Sequence, residues 1–245
     1  MSDIDTDGSA AAEAIASPSV VALVSHSTPA HDLVGGFRCA GVLVGPTVVL
    51  TAKHCIEGMS AARLDVVIDP VDLCDPTSDA DERVPAGAIR PLPDADLAEI
   101  VIGRPVAVEP AAVATRRPSQ DDRLLAVGWG QRSSSGPCRR SAVALALASE
   151  TDCATARSHL RPEARRWQLC ALPLEGGRNT CTGDSGGPLF AVTGSVPRLV
   201  GITSAGMGGC GPTDLGLYVR VDCEIRGPCG EARPPRPPSV RRPDA

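Results

Sequence analysis

Apolar residues fall in short runs along most of the chain, cut by small or polar residues. Val20 to Val24, Cys39 to Val44, Val48 to Thr51, Leu64 to Ile68, Leu97 to Ile102, Leu124 to Gly128, Val143 to Ala148, Leu189 to Val192, Leu199 to Thr203 and Leu217 to Val221 are each of strand length. Gly, Pro, Asp or Ser clusters separate most of them, a pattern that predicts an all-β barrel or sandwich. One stretch, Glu150 to Arg166, reads as helical, with Thr151 and Asp152 as a cap before Pro162 interferes. No repeat of fixed period is present. No run approaches the roughly 18 apolar residues of a membrane-crossing helix, so no membrane span is expected.

Composition narrows this picture. A chain of 245 residues can form one large all-β unit or two small domains sharing an interface. Apolar residues make up 42% and aromatics 2%, so the core must be built from Val, Leu, Ile and Ala, which suits sheets. A net charge of -5 argues against nucleic acid or an anionic membrane as partner. Ten cysteines without paired C-x-x-C spacing read as disulfides, which implies an extracellular or periplasmic protein. Met1 to Asp7 is acidic and polar where a secretory leader has a basic start and an apolar run, so a signal peptide is absent from this chain. Residues 1–17 read as a weakly ordered lead-in and 227–245 as a Pro/Arg-rich tail, leaving 18–226 as the folded part. The acidic loop at 70–82 holds Asp72, Cys74, Asp75, Asp79 and Asp81 but lacks EF-hand spacing. It reads as a solvated loop rather than a calcium site, and no metal or other cofactor is expected.

The candidate chemistry centres on Cys181-Thr182-Gly183-Asp184-Ser185-Gly186-Gly187-Pro188-Leu189, a loop shaped to expose one hydroxyl. Ser185 is the candidate nucleophile, and it needs a base, a group orienting that base and donors for an oxyanion. All four histidines, His26, His31, His54 and His159, precede it. The Gly183-x-Ser185-x-Gly187 spacing formally matches the elbow of α/β-hydrolases, but there the histidine follows the serine, so that reading fails. The orders His-Asp-Ser and Asp-His-Ser, the latter using Asp32, remain open. His54 directly follows an apolar strand, in a corner that Cys55 can tie back to Cys39; His26, His31 and His159 lie in polar loops and read as surface histidines. Asp96 immediately precedes an apolar run and Asp94 lies farther out, so either could orient the base.

Taken together, Cys39-Ala40-Gly41, Thr51 to Cys55, Asp96-Leu97-Ala98, Gly128-Trp129-Gly130, Cys181 to Leu189, Ser204-Ala205-Gly206 and Gly216-Leu217-Tyr218 resemble a trypsin/chymotrypsin-type serine protease of the S1 family. The resemblance implies two six-stranded antiparallel β-barrels, with their boundary near 105–123 and the active site in the cleft between them. It implies His54 as general base and then acid, Asp96 as its orienter, Ser185 as nucleophile, and the N–H groups of Gly183 and Ser185 as oxyanion hole. Asn179, Thr182, Ser204, Ala205, Gly206 and Gly216 become substrate-binding positions, and Asp184 the partner of a liberated N-terminal amine. The family pairs Cys39 with Cys55, Cys153 with Cys170, and Cys181 with Cys210; four cysteines are left over, and because the loops of Cys74 and Cys138 are neighbours in the family fold these two are expected to pair, with Cys223 closing locally on Cys229. The implied activity is a secreted, monomeric serine endopeptidase acting on protein or peptide substrates and open to protein inhibitors.

The sequence also departs from the family. Asn179 stands where an aspartate would select Arg or Lys, so an uncharged P1 residue is expected. Ala205 replaces a common Trp, which loosens selectivity for neighbouring substrate residues. Lys53 beside His54 is expected to have little effect. No clear Ile-Val-Gly-Gly start exists; Ile4, with Gly8 following, is the nearby apolar candidate. The alternative reading is therefore an inactive or zymogen-locked homologue that serves as a binding or regulatory module.

Overall fold

A computed structural model describes residues 14, 17–29, 32–75, 82–130, 138–174, 177–193, 196–207 and 209–221. Twelve strands close into two antiparallel barrels. The first holds β1 (Val20–Ser25), β2 (Phe37–Gly45), β3 (Val48–Thr51), β4 (Leu64–Ile68), β5 (Glu82–Pro91) and β6 (Ala98–Ile102), in the order β1-β2-β3-β6-β5-β4. The second holds β7 (Arg123–Gly128), β8 (Ser141–Leu147), β9 (Gln168–Pro173), β10 (Pro188–Thr193), β11 (Val196–Met207) and β12 (Leu215–Arg220), in the order β10-β11-β12-β9-β8-β7. Closure leaves no free sheet edge.

Two of these strands differ from the sequence expectation. β5 carries Pro85, Gly87 and Pro91, which disguise it, yet it pairs with β4 and β6 on either side and shifts register between Ala86 and Ala88. A bulge at that point accommodates what propensity alone disfavours. β9 follows directly on the helical-looking stretch and was hidden by it. That stretch contains a helix at Glu150–Ala156, and its cap is Ser149 rather than Thr151 or Asp152: the Ser149 hydroxyl oxygen accepts the Asp152 N–H at 3.1 Å. A second short helix, Pro162–Arg165, starts on its proline, where a missing N–H costs nothing.

Leu23, Leu43, Leu50 and Ile100 are fully buried in the first barrel. Their apolar cluster continues through Trp129, Phe190, Leu199, Ile202 and Val219 of the second half. The second barrel also has a separate cluster, including Leu124, Leu145, Leu189 and Tyr218. The barrels therefore meet across apolar side chains.

A polar clamp reinforces the seam. The segments around Val71–Leu73 and Cys138–Arg140 pair, with Leu73 N–H donating to Cys138 O at 2.8 Å and Arg140 N–H to Val71 O at 2.9 Å. Cys74 and Cys138 are joined by a disulfide, and the Arg140 guanidinium, 2% exposed, meets Asp69 at 2.8 Å and lies over the Trp129 ring. Disulfides also join Cys39 to Cys55, Cys153 to Cys170 and Cys181 to Cys210. Cys223, Cys229, His31, Asp79, Asp81, Ile4 and Gly8 lie outside the described residues, as do the segments 1–13 and 222–245.

Candidate active site

His54 sits in a short 3-10 turn, Lys53–Ile56, immediately after β3. The Cys39–Cys55 disulfide ties that turn to β2. Its Nδ1 is 2.8 Å from Asp96 Oδ2, and its backbone N–H donates to Asp96 Oδ1 at 2.9 Å. An ionised carboxylate only accepts, so Nδ1 carries the proton and Nε2 keeps its lone pair. The Ser204 hydroxyl donates to Asp96 Oδ2 at 2.6 Å. Three donors thus fix one carboxylate, which in turn fixes the imidazole.

These contacts set the electrostatics. The hydrogen bond to Asp96, helped by the charges of Asp96 and Glu57, holds the His54 pKa above its usual 6.5 against the lowering effect of burial. For Asp96 burial is the largest single influence and pushes upward. The hydrogen bonds from His54 and Ser204 and the nearby imidazole together outweigh it, so the net shift is below the usual 3.8.

Ser185 lies across the seam, in a turn that both barrels hold. Its carbonyl accepts from Ala40 N–H of β2 at 2.9 Å, and the next residue, Gly186, donates to Thr203 O of β11. Gly186 has φ +79°, and a Cβ there would lie 2.2 Å from Thr51 Oγ1 and 2.3 Å from Ala40 O, so only glycine fits. Asp184 is 1% exposed; Gly130 N–H donates to its Oδ1 at 2.8 Å and Cys181 N–H to its Oδ2 at 2.9 Å. A Cβ on Gly130 would strike that carboxylate at 1.9 Å, which explains a glycine beside Trp129. With Asp184 turned inward, the N–H groups of Gly183 and Ser185 have no acceptor among the described residues. No hydrogen bond joins the Ser185 hydroxyl to His54 among the described residues; His54 Nε2 instead lies 3.7 Å from Cys55 Sγ. Such bonds commonly tighten only when substrate is bound.

The family model described as Trypsin matches residues 7–225. The chain belongs to the trypsin family. It is 36% identical over 204 residues to Serine protease 56 of Mus musculus, covering 75% of this chain but 32% of that protein, about a third of its length. It is 31% identical over 211 residues to Kallikrein-1 of Mus musculus, covering 76% of each. A trypsin of Saccharopolyspora erythraea is 29% identical over 192 residues, 75% of this chain and 82% of that one. Among solved structures, the VesB protease of Vibrio cholerae aligns with a TM-score of 0.69 and 30% identity, over 85% of this chain and 62% of its own.

Beside Ser185, this trypsin-family chain has a cavity of about 350 Å³ lined by Thr180, Cys181, Thr182, Ser204, Ala205 and Gly206, among others, with no charged side chain among the described residues of its wall. Asn179 does not line it. Buried to 1% exposure, its Oδ1 accepts from Thr180 N–H at 2.8 Å and its Nδ2 donates to Asp214 O, so the amide is engaged within the protein. Gly216 abuts Asn179 and Tyr218 and is likewise absent from the wall. A second hollow, lined by Lys53, Glu57, Asp94, Asp96, His159 and Arg161, opens on the other side of Asp96. Lys53 turns away from the imidazole and donates to Leu92 O at 3.3 Å.

Two contacts escaped the sequence reading. Ser204, expected among the substrate-binding positions, also sends its side chain to Asp96, 108 residues away. His26, read as a plain loop histidine, bonds Asp65 through Nδ1 at 2.8 Å; Asp65 is 3% exposed and also takes Arg83 Nε at 2.6 Å. No local spacing signals either pair.

Proposed function

We propose that this chain is a secreted serine endopeptidase that cleaves peptide bonds through an acyl-enzyme. The observation that carries the reading is the His54–Asp96–Ser204 constellation, set at the seam where the Ser185 turn presents two N–H groups without acceptors among the described residues. Ser185 Oγ attacks the scissile carbonyl carbon while His54 Nε2 takes its proton. The oxyanion receives hydrogen bonds from Gly183 and Ser185 N–H. His54 then returns the proton to the leaving amine, the C–N bond breaks, and the acyl group stays on Ser185. A water, deprotonated by His54, attacks the ester and releases the acid and the free serine.

The uncharged wall of the cavity supports a neutral side chain before the scissile bond, since a buried cation there would find no counter-charge. Four disulfides support an oxidising, extracytoplasmic location. Labelling with a serine-directed fluorophosphonate tests the proposal. The expected result is covalent modification of the wild type and its loss in Ser185→Ala and His54→Ala. A folded wild type that takes no label, even after limited proteolysis, would instead favour a binding module.

A further inference from the structure

The same reading of the chain as a peptidase dictates where the departing half of a substrate must go. Its amine has to sit at His54 Nε2 to receive the proton, and Nε2 lies against Cys55 Sγ. Cys55 is bonded to Cys39, and the residue before Cys39 on β2 is Arg38. Past the scissile bond, an extended chain therefore crosses the disulfide toward the start of β2.

A hollow of about 170 Å³ waits there, lined by Ser25, His26, Ser27, Arg38, Met59 and Arg63, among others, none of them a carboxylate. Strand pairing explains the convergence. β1 lies between β2 and β4, with Val24 opposite Phe37 and Ser25 opposite Leu64, so the ends of three neighbouring strands bring Arg38, His26 and Arg63 together. Arg38 and Arg63 are exposed and have no ion pair among the described residues. Asp65 does not neutralise the hollow, because its two oxygens are spent on His26 and Arg83. That contact also holds the His26 ring as a fixed wall. Two guanidinium groups without carboxylate partners among the described residues thus line one small hollow.

We infer that this hollow is a subsite for an acidic side chain, Asp or Glu, on the second or third residue after the scissile bond. The Cys39–Cys55 Cα separation is 6.0 Å and Arg38 is one residue farther, a span that two to three extended residues cover at about 3.3 Å each. The guanidinium forks and the hydroxyls of Ser25 and Ser27 supply donors, which suits a carboxylate.

The test compares internally quenched peptides that are identical up to the scissile bond and carry Glu, Gln or Lys at the second and third residues beyond it. A chromogenic amide that ends at the scissile bond is run alongside. The wild type should favour Glu over Gln in kcat/KM by about three- to tenfold, the scale of two partly exposed charge contacts. Raising salt from about 0.05 to about 0.5 M should shrink that preference. Arg38→Gln and Arg63→Gln should each reduce the ratio, and Arg38→Glu combined with Arg63→Glu should invert it toward Lys. Because the readout is a ratio of two substrates on one preparation, it does not depend on how much of a variant folds. A ratio near one in the wild type, or an equal ratio in the wild type and the double variant, overturns the subsite while leaving the peptidase reading intact, provided the truncated amide is cleaved. Failure to cleave the amide and every peptide overturns the peptidase reading and the subsite with it.

Discussion

The two barrels contribute to the site by different physical means. The first offers side chains: His54 and Asp96 stand at the ends of β3 and β6, and hydrogen bonds among side chains and one backbone N–H set their geometry. The second adds the Ser185 and Ser204 hydroxyls, but its distinctive contribution is backbone: the turn at Gly183 to Gly187 exposes two N–H groups because a buried Asp184 and two glycines with positive φ force the chain through that shape. Side-chain geometry can be retuned by one substitution, whereas a backbone shape is held collectively and tolerates almost none. The Ser185 turn is also the place where the halves depend on each other, since Ala40 and Thr51 of the first barrel wall in Gly186 of the second.

This contrast can be broken in order of expected effect. Asp96→Asn attacks the side-chain half: with the tautomer of His54 no longer dictated, kcat/KM should drop by about 10⁴-fold with little change in Tm. For the proposed activity of the parent chain the base must be neutral, and Asp96 holds the His54 pKa above 6.5, so the acid limb of the kcat/KM profile should have its midpoint above 6.5. The residual activity of the variant should show that limb shifted to lower pH; an unmoved limb would show that Asp96 does not govern the imidazole. The same pair contributes to stability in the opposite sense. The raised His54 value contributes fully below 6.5 and is lost as pH rises through the folded value. The lowered Asp96 value contributes above 3.8 and is lost as pH falls through its folded value.

Gly186→Ala attacks the backbone half. A methyl group placed 2.2 Å from Thr51 Oγ1 at positive φ should cost about 3 kcal/mol or more, read as a lowered urea midpoint, and should abolish fluorophosphonate labelling in the remaining folded fraction. Retained stability would mean that the two barrels are less tightly interlocked than the geometry implies. The smallest effect belongs to Ser204→Ala, which removes one of the donors on Asp96. A loss of about tenfold or less in kcat is expected, with KM nearly constant for short substrates, and Ser204→Thr should recover part of it.

What could be read from the sequence follows the same division. Runs such as Val48 to Thr51 and Leu64 to Ile68 announce strands because aliphatic residues there meet a core whichever neighbours they have. β5 did not, because Pro85, Gly87 and Pro91 are poor strand residues until β4 and β6 flank them in a closed barrel. At the site, Asp184-Ser185-Gly186-Gly187 advertises an unusual backbone in four consecutive residues. The contact of Ser204 with Asp96, and the engagement of the Asn179 amide with Thr180 and Asp214, depend on chain segments that only folding brings together. Arg38 and Arg63 are unremarkable in the sequence for the same reason; three strands must pair before they share a hollow.

The Cys74–Cys138 disulfide, across a sequence separation of 64, closes a covalent circuit that contains Asp96 and the whole passage from one barrel to the other. Hydrolysis of any single peptide bond inside that circuit leaves both halves in one covalent molecule, so a nick would not release a fragment. For a chain proposed to cut peptide bonds, that topology confers tolerance of damage on the stretch of polypeptide connecting the two halves of the site.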